Sequence, residues 1–149
     1  MTDISFYHLT VRPLEWALPK LLERTLDGGN RALIMVSSTE RMNSLNALLW
    51  TYEPNSWLPH GVEKDGNAVE HPIWLTTRDE NPNGANFLFL TDGAASAKVA
   101  EFARVFELLD GRDEGAVRAA RGHWKTYMEA GYDLSYWQQD DRGRWVKAK

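Results

Sequence analysis

The segment Arg121-Gly122-His123-Trp124-Lys125-Thr126-Tyr127 puts an indole, a phenol, an imidazole and two cations close together near the C-terminus. The stretch around it has helical patterning, and at about 3.6 residues per turn its aromatic and basic residues fall into neighbouring stripes. Tyr127 shares a face with Ala116, Ala120 and Ala130, which marks that face as buried. Trp124, Val117 and Met128 take the shoulder, and Arg121, Lys125 and Arg118 lie beyond it, toward water. A large aromatic bordered by cations can receive a peptide that carries an apolar anchor and negative charge. The plainer reading is a helix edge with solvated cations and a half-buried indole.

Signals for catalysis are sparse. The chain has neither G-x-x-x-x-G-K-[ST] nor G-x-G-x-x-G, and no G-x-S-x-G elbow. Gly28-Gly29 follows a helical stretch, so it reads as a helix stop and not as a phosphate cradle. Asp92-Gly93 does follow a strand, where open α/β sheets place ligand groups, although a plain turn explains the pair as well. The four histidines, at 8, 60, 71 and 123, are too far apart in sequence for a local metal motif. His60, in Leu58-Pro59-His60-Gly61, is either a loop brace or a catalytic group. No paired carboxylates fall on one face. These residues point away from an enzyme and call for no cofactor or metal.

Two tryptophans stand out. Met42, Leu45, Leu49 and Tyr52 form the apolar stripe of a second helix, and Trp50 lies roughly 130° from its centre at about 100° per residue. An indole on the polar face of a helix suggests a contact surface, and Trp57 follows after a short loop. The alternative is that this loop folds back and covers both.

Composition narrows the classes. The chain has 149 residues, enough for one domain (1-149) with a real core. The net charge of −4 argues against wholesale electrostatic wrapping of nucleic acid, so any such role needs a local basic patch or an intermediary. Absence of cysteine removes disulfides and thiolate chemistry and suits a cytoplasmic protein. No signal peptide is evident at the N-terminus, and no apolar run approaches the ~20 residues of a membrane span. Seven tryptophans exceed what one core of this size needs, so some belong on contact surfaces.

The elements that must position these residues alternate. Residues 4–9 read as a strand, and Pro13 opens a helix to about Leu26 that kinks or restarts at Pro19. Strand 31–36 is nearly all apolar, as in a buried parallel sheet, and the second helix runs from Ser37–Glu40 to Tyr52. Strands follow at 73–76 and 87–90. Residues 96–109 are ambiguous: the start is helix-like, and 104–109 could be an edge strand. The last helix starts at Asp113 or Glu114 and stops at Gly131, and 132–138 with 145–147 form a hairpin. The fold class is α/β: a single domain with a mostly parallel sheet, mixed at the edge, flanked by helices and Rossmann-like without a phosphate-binding loop.

Phe6-Tyr7-His8-Leu9, Ala47-Leu48-Leu49-Trp50, Ser56-Trp57-Leu58-Pro59-His60 and Arg121 to Tyr127 with Ala130-Gly131-Tyr132 occur in an order and spacing that resembles the chi subunit family of bacterial DNA polymerase III. The resemblance implies a non-catalytic adaptor of the replicative holoenzyme. It would bind the acidic, phenylalanine-terminated C-terminal tail of single-stranded DNA-binding protein through Arg121, Trp124 and Lys125, with Val117 and Arg118 beside them. It would link that protein to the clamp loader through the psi subunit, or a psi-like partner such as a repair helicase, at Trp50, Trp57, Pro59 and His60. DNA would be reached only indirectly, without a membrane, by a monomer or heterodimer. The competing reading is a flavodoxin-like small-molecule or nucleotide enzyme that uses the Asp92 loop and His60.

Overall fold

In the computed structural model, which describes residues 2–53 and 58–148, eight strands and three α-helices occur among the described residues. The strands are β1 (Asp3–Leu9), β2 (Ala32–Met35), β3 (His60–Gly61), β4 (Ile73–Thr76), β5 (Phe87–Thr91), β6 (Arg104–Asp110), β7 (Asp133–Gln139) and β8 (Trp145–Lys147). The helices are α1 (Leu14–Asp27), α2 (Thr39–Thr51) and α3 (Glu114–Glu129). One sheet has the order β3-β4-β2-β5-β6-β1-β7-β8, parallel throughout except for the β7–β8 hairpin. The expected α/β class, parallel sheet and mixed edge are therefore present.

Alternation along the strands divides the core into two layers. Tyr7 and Leu9 of β1 face α1 and α2, where they join Leu18, Leu22, Leu45, Leu49, Phe89 and Phe106. Ile4 and Phe6 face the other way, toward Ala120 and Tyr127 of α3. β7 repeats the pattern: Tyr136 lies on the α3 side and Trp137 on the α1 side. No helix of the described residues is long and apolar enough to cross a membrane.

Local chemistry sets the helix ends. Ser38 accepts a bond from the Arg41 amide and caps α2; Asp113 accepts from the amides of Gly115 and Ala116 and caps α3. Gly131, at φ 87°, takes the left-handed turn that stops α3. Pro19 neither starts nor divides α1: it is buried inside a helix whose leucine stripe outweighs one missing hydrogen bond.

Two expectations need correction. β6 is not an edge strand; it lies between β5 and β1, and its charged ends mask an interior position. Ala130 is exposed because α3 ends at Glu129 and Ala130 is its C-cap, whereas Ala120 and Tyr127 are buried as expected. The ambiguous stretch resolves as a single 3-10 turn, Val99–Glu101, followed by β6.

The turn after β1 explains the missing phosphate loop. In nucleotide-binding α/β folds, amides of the first β–α turn cradle a phosphate. Here three successive amides, those of Thr10, Val11 and Arg12, all donate to Oε1 of Gln139, at 3.0, 2.8 and 2.9 Å. A side chain from β7 thus occupies the place an anion would take.

Candidate functional site

The capped helix α3 packs against β6 and β7. Its buried line, Ala120 and Tyr127, rests on Phe6 and its neighbours, and Val117 and Trp124 are half-buried at the margin. The Trp124 ring meets Phe6 edge-on at 5.3 Å and Tyr136 at 5.9 Å. Its orientation is therefore set by an aromatic floor, because Phe6 also stacks on Tyr136 at 6.1 Å. Arg118, Arg121 and Lys125 are exposed beside this indole and form no ion pair with a described carboxylate. The structure thus brings together the five α3 residues singled out in the sequence.

Two further residues complete the floor. His8 Nδ1 and the Tyr136 hydroxyl are 2.6 Å apart. Burial holds the His8 ring below its ordinary pKa, and the positive charge of Arg121 adds to the effect. Burial raises the Tyr136 hydroxyl, while Arg121 pulls the other way. Arg121 therefore projects its field over a neutral pair with polar atoms at the surface. Sequence reading missed both roles; the usable signal was the period-two alternation that puts His8 on the Phe6 side of β1. Gly111 is part of the same construction, since a Cβ there would stand 2.0 Å from the His8 ring.

His123, inside the motif, faces elsewhere. Its Nδ1 donates to both carboxylate oxygens of Glu107, at 3.0 and 2.9 Å. Burial pushes the Glu107 carboxyl above the usual range despite His123, and the Glu107 hydrogen bond raises the imidazole. The pair lines a cleft of about 420 Å³ with Asp92, Asp110 and Asp113. His123 is tied to Glu107 within that lining, so the pair latches α3 to β6.

Trp50 is 56 % exposed, as its position opposite the apolar stripe implies. Its ring lies 4.5 Å from that of His60, centroid to centroid. His60 is only 4 % exposed, with Nδ1 2.6 Å from the Leu58 carbonyl and Nε2 3.2 Å from that of Asn46. In the free chain His60 braces the loop and supports Trp50 from below. Pro59 is half-buried beside it, and Trp57 lies outside the described residues.

The alternative site also fails geometrically. His60 shares a cross-strand row with Ile73, Ala32 and Phe87, at the start of the parallel strands. Asp92 follows the end of β5, so the two are separated by roughly 16 Å along the strands and about 14 Å across them. They cannot act on one small molecule. Asp92 is also held by Arg41 at 2.7 Å, and the same guanidinium binds Glu15 at 2.6 Å. No group of three or more metal-ligating side chains occurs among the described residues.

Comparison with known proteins agrees with this arrangement. The chain is 30 % identical over 110 residues, 72 % of its length and 67 % of the relative's, to a protein named "Probable DNA polymerase III subunit chi" from Rickettsia prowazekii. Residues 1–135 match the family model described as DNA polymerase III chi subunit, HolC. With that match spanning β1 and the whole of α3, the chain belongs to the DNA polymerase III chi subunit family.

Proposed function

We propose that this chain is a non-catalytic adaptor of the replicative holoenzyme, with α3 receiving the acidic C-terminal tail of single-stranded DNA-binding protein. The observation that carries the reading is the set of three exposed cations, Arg118, Arg121 and Lys125, with no ion pair to a described carboxylate, around an indole fixed by Phe6 and Tyr136. A phenylalanine ring can rest on Trp124 and Val117 while its terminal carboxylate takes charge-assisted bonds from Arg121 and Lys125. The acids before it face Arg118.

An adaptor needs a second, separate surface. Trp50 and Pro59 lie beside β3, at one end of the sheet, while α3 covers β6 and β7 toward the other. From β3 to β1 is five strand steps, roughly 24 Å. The Trp50 surface is the proposed seat of psi, or of a repair helicase in its place, and so of the connection to the clamp loader. At that spacing both partners bind without collision. The test is nuclear magnetic resonance mapping with a phenylalanine-terminated acidic peptide. Shifts confined to α3, His8 and Tyr136 are expected. Shifts centred on Trp50 would overturn the assignment.

A further inference from the structure

Three tryptophans remain unexplained by either surface: Trp16 on α1, Trp137 on β7 and Trp145 on β8. They line one open groove of about 450 Å³ between α1 and the β7–β8 hairpin. Trp137 stacks beside Tyr7 at 6.2 Å and Trp145 meets the same ring edge-on at 4.7 Å, so two indoles are held in fixed orientations. Trp16 has cations over its ring, Arg12 and Lys20, each 5.3 Å from the centroid.

The walls are basic. Lys20 and Arg24 line the groove from α1, Arg142 and Arg144 from the hairpin turn. Arg144 is offset by Asp140 at 2.9 Å, but Lys20, Arg24 and Arg142 form no ion pair with a described carboxylate. Two of the three acids of α1 are engaged on its other flank: Glu15 binds Arg41, and Glu23 accepts from the Tyr52 hydroxyl; the third, Asp27, forms no ion pair with a described cation. A chain of net charge −4 has thus assembled a local basic patch around three half-buried indoles that line an open groove.

From this juxtaposition we infer that the groove binds a short stretch of single-stranded DNA, its bases stacked on Trp16, Trp137 and Trp145 and its phosphates held by Lys20, Arg24 and Arg142. An acidic peptide fits less well. A carboxylate clamp converges its cations on one point, whereas these stand on two opposite walls with three ring faces between them. Each base has a π-face to offer; a peptide tail offers one anchor. The matched family segment ends at residue 135, so Trp137, Trp145 and both hairpin arginines lie beyond it. The groove is on the opposite face of the sheet from Trp124, because Tyr136 and Trp137 point to opposite sides of β7. DNA is then met directly, and not only through its binding protein.

The experiment is fluorescence anisotropy of the full chain with fluorescein-labelled oligo-dT at about 50 mM salt. Binding is expected, with a log–log salt slope of about −1.5 to −2 for two to three phosphate contacts. The Arg24→Glu/Arg142→Glu double variant, which alters solvated side chains only, should bind at least tenfold more weakly at unchanged Tm. Trp145→Ala should lose roughly tenfold and Trp145→Phe much less. Arg121→Ala should bind the oligonucleotide like wild type, which separates this groove from the α3 site. No binding by wild type at low salt, equal binding by the charge-reversed variant, or tighter capture of an acidic aromatic peptide in the groove would each overturn the inference.

Discussion

Replacing Gln139 with Ala uncovers the three amides of the β1–α1 turn at once. Its Oε1 accepts from Thr10, Val11 and Arg12 at 2.8 to 3.0 Å. A neutral hydrogen bond contributes about 0.5–1.5 kcal/mol net, and an unsatisfied buried donor costs more. The three bonds share one oxygen, so they are not additive, and residues 10–12 are exposed enough for water to compensate in part. A loss of about 2–3 kcal/mol follows, or roughly 5–10 °C in Tm for a domain of this size. Gln139→Glu keeps an acceptor in place and should retain most of the stability. Urea denaturation followed by tryptophan fluorescence measures all three proteins. A second reading is more specific: the emptied turn presents amides to an anion. If sulfate binds the Ala variant with a Kd of about 10 mM, 50 mM sulfate adds about 1 kcal/mol beyond its general effect on wild type. Should Gln139→Ala unfold within 0.5 kcal/mol of wild type, the view that this side chain fills a vestigial anion site is wrong.

Gly122→Ala should stabilise the protein by about 0.5–1 kcal/mol, because a Cβ there meets nothing within 4 Å on an exposed helix turn; thermal denaturation checks it. Gly111→Ala should do the reverse, since its Cβ would lie 2.0 Å from the His8 ring; loss of the native His8 and Tyr136 resonances should accompany a lower Tm. Glu107 and His123 both have folded pKa values above their ordinary ones, so the native state binds more protons. The stability this gives is complete at low pH and fades as pH rises, first above the ordinary Glu range and then through the raised pKa of His123. Wild type should therefore lose more stability between about pH 6 and 9 than Glu107→Gln, and a parallel pH profile for the two would contradict the pairing.

What could be read from the sequence was local. The caps at Ser38 and Asp113, the stop at Gly131, the apolar run of β2 and the exposure of Trp50 each depend on a few neighbouring residues. What escaped depends on distant partners. RVFELL is compatible with an edge strand, because the place of β6 among the strands is invisible in its own residues. The two-residue β3 is too short to show a period. Trp124 is visible in the α3 stripe, yet the rings that hold its indole, Phe6 and Tyr136, come from β1 and β7. Gln139 in the vestigial turn lies 127 to 129 residues from its partners, a spacing no motif search spans.

The central claim is that Arg121 and Trp124 receive a phenylalanine-terminated acidic tail, and titration calorimetry with Arg121→Ala tests it most directly. Arg121 is exposed and pairs with no described carboxylate, so its charge-assisted bond to a terminal carboxylate is worth the lower part of about 1.5–3 kcal/mol. Binding should weaken about tenfold or more, for about 1.4 kcal/mol per decade. Amidating the peptide's carboxylate or deleting its final phenylalanine should act comparably, and raising salt should weaken wild-type binding. If Arg121→Ala holds the tail as tightly as wild type, or the amidated peptide binds equally well, α3 is not the tail site.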